Sequence, residues 1–130
     1  MPEVKRINRP LSPHLTIYRP QWTSMTSILT RITGNALIVG AALVVWWLIA
    51  LSAGPDAFAI ADVVITSWVG DVIMVLSLWA LWYHLLAGVR HLVWDSGRML
   101  DVAVAELAGK VITGLSVVLT VATVLILQGY

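Results

Sequence analysis

Cysteine is missing from this chain of 130 residues, so it can hold neither a disulfide nor the thiolate ligands of an iron–sulfur centre. Charge is scarce as well. Charged residues make up 12% of the chain and hydrophobic residues 59%, whereas soluble domains carry about 25% and about 45–50%. A formal net charge of +1 argues against a nucleic-acid partner. The sequence has no glycine-rich phosphate loop and no carboxylate pair within an apparent pocket, which leaves no basis for nucleotide binding, phosphoryl transfer or hydrolysis. The period-two alternation of a membrane β-strand is also absent. Any redox or ligand chemistry must come with a cofactor that the protein positions.

What remains is long apolar sequence. Residues 32–55, 72–89 and 111–130 carry no charged side chain. A bilayer's hydrocarbon core needs roughly 20 helical residues to cross, so the pattern predicts an all-α chain with three membrane-spanning helices. Residues 1–21 form a basic, proline-rich surface segment, in which Pro10, Pro13 and Pro20 disfavour a long helix. The remainder, 22–130, forms the transmembrane domain. Its helices are expected at about 22–51, 62–94 and 109–127. Thr23, Ser24, Thr26 and Ser27 offer caps at the first start. Gly54-Pro55 breaks the chain after it, and an amphipathic connector through Glu106 precedes the third helix. Ala36 and Gly40, and later Gly109, Gly114, Ser116 and Thr120, offer small packing surfaces.

Lys5, Arg6, Arg9 and Arg19 lie before the first span, and the 52–71 connection has no lysine or arginine. Arg90, Arg98 and Lys110 mark the second connection. The positive-inside rule then puts the N-terminus in the cytoplasm and the C-terminus outside.

Chemistry concentrates in Tyr83-His84-Leu85-Leu86-Ala87-Gly88-Val89-Arg90-His91. His84 lies six residues before Arg90, roughly 9 Å deeper along a helix. An imidazole at that depth is either a neutral group bonded to a neighbouring helix or a ligand, and haem iron is a common user. Gly88, one turn on, would let a flat macrocycle approach. His91 follows His84 by about 700° of helical rotation, so the two share a face and cannot grip one iron from opposite sides. His14 lies outside the apolar spans. A six-coordinate iron would need its second histidine from another subunit.

Arg31 is the only charged residue between Arg19 and Asp56, and Ser27 is one turn before it. The pair reads either as a boundary anchor with a capping serine, or as donors to a quinone's carbonyls or a haem propionate. Arg90 and His91 divide in the same way between propionate contacts and boundary markers. Asp95 could pair with Arg98, cap the connector or touch a soluble partner. Trp79 and Trp82 read as packing residues within the second span.

Three stretches carry a family resemblance: Arg9-Pro10-Leu11-Ser12-Pro13-His14-Leu15-Thr16-Ile17-Tyr18, Ser27-Ile28-Leu29-Thr30-Arg31-Ile32-Thr33-Gly34, and His84 through Asp95. Together with the three-span pattern they resemble the succinate dehydrogenase cytochrome b556 subunits, membrane anchors of respiratory complex II, in their alphaproteobacterial and mitochondrial branch. The resemblance implies half of a haem-binding helical bundle completed by a partner. It makes His84 an axial ligand of haem b and the second anchor subunit the source of the other ligand. Ser27 and Arg31 would line a ubiquinone site, with Arg31 also near a propionate and His91 a further propionate contact. The family often has histidine where this chain has Thr30, and threonine supplies no cationic imidazole. A flavoprotein and an iron–sulfur subunit would complete the complex in a bacterial inner membrane, the mitochondrial inner membrane being the alternative location. Two other readings are a menaquinone-linked fumarate reductase anchor and a haem-free structural anchor.

Overall fold

The computed structural model of the chain describes residues 17–129. Residues 1–16, which hold most of the basic proline-rich segment and His14, lie outside them, as does Tyr130. Four helices follow in order: α1 Trp22–Ala53, α2 Pro55–Ile65, α3 Trp68–Asp95 and α4 Val102–Gln128. The described residues contain no strand. Three of the helices, α1, α3 and α4, are long and apolar enough to cross a membrane.

α1 begins after Gln21, which makes no side-chain cap. The threonines and serines expected as caps are already inside the helix, where hydroxyls bond back along it, as Thr26 does to the Thr23 carbonyl at 3.0 Å. α1 ends at Gly54, whose φ of 123° favours glycine. Pro55 then opens α2, where its missing N–H costs nothing.

The second span differs from expectation. Residues 62–94 are not one helix. The chain turns at Thr66-Ser67, and α3 starts afresh with the Ser67 hydroxyl accepting from the Gly70 N–H at 3.1 Å. The corner is tight. A Cβ on Gly70 would collide with the Ile65 carbonyl. α2 is held against α1 through an edge-to-face contact of Trp47 with Phe58, ring centres 5.4 Å apart.

The third span also starts earlier than 109. The Asp101 carboxylate accepts from the amides of Ala103 at 3.0 Å and Val104 at 3.4 Å, so helix begins at Val102. Glu106, expected in the connector, lies inside this continuous helix and pairs with Lys110 at 2.9 Å one turn on. Asp95 and Arg98 do not form an ion pair. The Trp94 indole N–H instead closes the corner on the Met99 carbonyl at 3.0 Å.

α3 is the central helix. Ala80, Tyr83, Ala87 and Arg90 are buried along one stripe, with α1 on one flank and α4 on the other. The core is small: Tyr83, Ala87 and Ile112, joined by Leu29, Trp79 and Leu86. Trp79 and Trp82 each donate an indole N–H across to α4, to Ser116 and Thr123, both at 3.1 Å. Small residues carry the close approaches. A Cβ on Gly40 would reach 2.8 Å from the Ser77 hydroxyl, and one on Gly109 would reach 3.0 Å from Thr26. Gly114, by contrast, is exposed, and a Cβ there would meet nothing within 4 Å among the described residues. Large apolar side chains such as Ile38, Val63, Leu92 and Leu125 point outward. Small residues inside and large ones outside is the arrangement that lipid permits and water does not. The chain is a membrane protein.

Candidate functional site on the α1–α3 seam

Three threonines on α1, at positions 26, 30 and 33, form a polar stripe facing α3. Thr30 and Thr33 turn their hydroxyls back to the Thr26 and Leu29 carbonyls, at 2.8 and 2.9 Å. α3 meets this stripe with two side chains. The Tyr83 hydroxyl donates to the Thr26 carbonyl at 3.1 Å. His84 Nδ1 lies 3.1 Å from the Thr30 carbonyl. A carbonyl oxygen only accepts, so Nδ1 carries a proton, and in the neutral form of the ring the lone pair is then on Nε2. No described residue hydrogen-bonds Nε2. The Thr30 hydroxyl takes no part in this contact. It is the backbone at position 30 that grips the ring.

His84 is half-buried, and its ring lies directly against Gly34, where a Cβ would come within 2.9 Å of Cε1. Gly88, one turn along α3, is exposed, and a Cβ there would meet nothing within 4 Å. Ser27, Arg31 and Gly34 share one flank of α1 by their spacing of four and three. Gly34 touches His84, so that flank borders the imidazole. Ser27 and Arg31 are both exposed there, and among the described residues neither side chain has a hydrogen-bond or ion-pair partner. An open apolar groove of about 440 Å³ continues along the same seam, lined by Leu37, Gly40, Ala41, Val44 and Leu81 among others. His91 is exposed on α3, with Nδ1 donating to the Ala87 carbonyl at 2.7 Å and its ring edge-on to Trp94 at 5.2 Å.

Arg90 behaves differently from a boundary marker. It is 5% exposed. Its Nη1 donates to the Thr26 hydroxyl at 3.3 Å, its guanidinium lies 4.6 Å over the Trp94 ring, and its Nε is buried without a partner. Gly109 of α4 leaves the room it occupies, since a Cβ there would be 3.3 Å from Nη1. Thr26, Tyr83 and Arg90 thus tie α1 to α3 beneath the seam. Sequence reasoning did not find this node, nor Thr33 and Gly34 as neighbours of His84. The spacing of the threonines was a visible signal, but their partners on α3 were not.

Among the described residues no three histidine or carboxylate side chains cluster as a cage for a bare metal ion. The seam offers one imidazole lone pair, and the adjoining flank of α1 adds one guanidinium and one hydroxyl, with the apolar groove beginning at Leu37 and Leu81 beyond them. That donor set can add a single axial bond to a metal already held in its own ring. It can also donate hydrogen bonds to carbonyl or carboxylate oxygens.

A family model described as succinate dehydrogenase/fumarate reductase transmembrane subunit matches residues 5–123. The chain belongs to this family. It is 51% identical over 126 residues to the succinate dehydrogenase cytochrome b556 subunit of Paracoccus denitrificans, covering 97% of each chain. It is 40% identical over 113 residues to the subunit of the same name from Rickettsia conorii, covering 87% of this chain and 88% of that one. The succinate dehydrogenase cytochrome b560 subunit of Reclinomonas americana is 38% identical over 119 residues, with 88% and 83% covered. With its three apolar helices, this family member is a membrane anchor subunit of the succinate dehydrogenase type and works alongside the other subunits of such a complex.

Proposed function

We propose that the chain binds haem b and ubiquinone as an anchor of a succinate:quinone oxidoreductase. The observation that carries this reading is the state of His84. Its Nδ1 proton is engaged by the Thr30 carbonyl, and its Nε2 lone pair has no described protein partner. Engagement of one ring nitrogen by a carbonyl fixes the tautomer and orientation that a metal-ligating histidine needs. The smooth surface at Gly88 suits a flat ring beside it.

His84 and His91 lie on one flank of α3, so a second protein ligand to the haem iron would have to come from another chain, the second anchor subunit. When bound, haem b supplies reversible one-electron storage. Arg31 carries a positive charge toward a propionate, and the outward nitrogen of His91 offers a further hydrogen bond to one. The Ser27 hydroxyl and the Arg31 guanidinium donate to the carbonyl oxygens of the quinone head, while the apolar walls of the seam exclude water from around its ring. Electrons arrive from succinate oxidation in the flavoprotein through the iron–sulfur subunit. This chain does not touch succinate. It lies in a bacterial inner membrane with its N-terminus cytoplasmic and its C-terminus periplasmic, as the distribution of lysine and arginine supports.

His84→Ala in the purified complex should abolish the reduced-minus-oxidised b-type band while succinate oxidation with a soluble dye persists. An unchanged spectrum would remove His84 from the ligand set.

A further inference from the structure

We propose that Thr33 and Gly34 are positioning residues for the His84 imidazole: the Thr33 hydroxyl is a second acceptor for the Nδ1 proton, and the bare face of Gly34 sets the plane of the ring. The proposal rests on His84 being a haem ligand and concerns how that ligand is aimed and tuned.

Three observations support it. Thr33 is 1% exposed, so its hydroxyl answers only to protein groups. Its single proton is used on its own helix, toward Leu29 at 2.9 Å or Thr30 at 3.0 Å. Its lone pairs are therefore left for Nδ1, which lies 3.4 Å away. The Nδ1 proton thus faces two acceptors, a near carbonyl at 3.1 Å and a farther hydroxyl. Gly34 is in van der Waals contact with the same ring, and a methyl group there would overlap Cε1 at 2.9 Å and crowd Nδ1 at 3.4 Å. The ring is therefore held in its plane by Gly34 and in its rotation by the two acceptors.

Acceptors on Nδ1–H push electron density toward Nε2 and make it a stronger donor. A stronger donor favours the ferric over the ferrous state, so losing an acceptor should raise the midpoint potential. A residue that only filled space would leave that potential where it is.

The test uses the complete detergent-purified complex, with redox titration of haem b and the low-spin ferric electron paramagnetic resonance (EPR) signal as readouts. Thr33→Val keeps the side-chain shape and should raise the midpoint potential with haem content unchanged. Thr33→Ser restores the hydroxyl and should return the potential to that of the parent. Gly34→Ala should shift the largest g-value of the EPR signal, because the ring must tilt. If Gly34→Ala fails to assemble, the Thr33 pair decides alone. A Thr33→Val complex with unchanged or lowered potential overturns the proposal. If His84→Ala still removes the haem band, the ligand reading survives that result. If His84→Ala keeps the band, the ligand reading falls and this proposal falls with it.

Discussion

Two hydroxyls meet at Thr26 of α1, that of Tyr83 and its own, and their removal should have unequal effects. Tyr83→Phe deletes a donor to the Thr26 carbonyl. That carbonyl keeps the Thr30 hydroxyl at 2.8 Å, and the buried ring keeps its packing. No polar atom is orphaned, so the loss is that of one interhelical hydrogen bond in a membrane, about 0.6 kcal/mol. Thr26→Val removes a group of similar size but takes away the acceptor of Arg90 Nη1. The Nε of that guanidinium already lacks a partner, so a buried cation would keep only its stacking on Trp94 at 4.6 Å. Hydrogen bonds to charged groups are worth about 1.5–3 kcal/mol. The 3.3 Å separation places this one near the lower end, at about 1.5–2 kcal/mol, or roughly a tenfold or greater fall in the folding equilibrium. The assay is reversible unfolding of the anchor subunits in mixed micelles by SDS titration, followed by tryptophan fluorescence. Thr26→Ser retains the hydroxyl and loses only the buried methyl facing Gly109, so it should cost about 0.8 kcal/mol and stay below Thr26→Val. Equal destabilisation by Tyr83→Phe and Thr26→Val would refute the view that Arg90 depends on Thr26.

Further outcomes follow from the seam and the corner. Ser27→Ala and Arg31→Leu should each reduce quinone-reductase turnover by about tenfold or more, the value of a lost hydrogen bond of about 1.4 kcal/mol or above, while dye-linked succinate oxidation stays at the parent level. Loss of both activities together would point to failed assembly. Gly70→Ala should lower the yield of assembled complex far more than Gly114→Ala, because only the first methyl meets backbone, at the Ile65 carbonyl. Equal yields on blue-native gels would contradict the close α2–α3 turn.

The helices themselves were visible in composition. Three charge-free runs announced three spans, and Gly54-Pro55 announced the first break. The start of the second span was not recovered, because hydropathy alone cannot separate one long tilted helix from a short helix and a new one. The cap that decides it is Ser67, a single hydroxyl over Gly70. The third helix is longer than its sequence suggests for a related reason: Glu106 resembles connector, but a helix presents such a charge, paired with Lys110 one turn on, on its outer face without ending. Position marks Trp79 and Trp82 as packing residues, whereas their partners Ser116 and Thr123 are set by the fold.

At the seam, residue chemistry and spacing singled out His84, Gly88, Ser27 and Arg31, because polar groups in apolar helices are costly and rare. They also showed that His84 and His91 share a face. Which nitrogen of His84 carries the proton, and which glycine lies against its ring, depend on atoms fifty or more positions away in the chain, and no local pattern encodes them. Arg90 shows the same division. Its charge and position suggested the membrane boundary, but only the packing of α1, α3 and α4 placed it inside, because a side chain's burial is a property of its neighbours and not of its own helix.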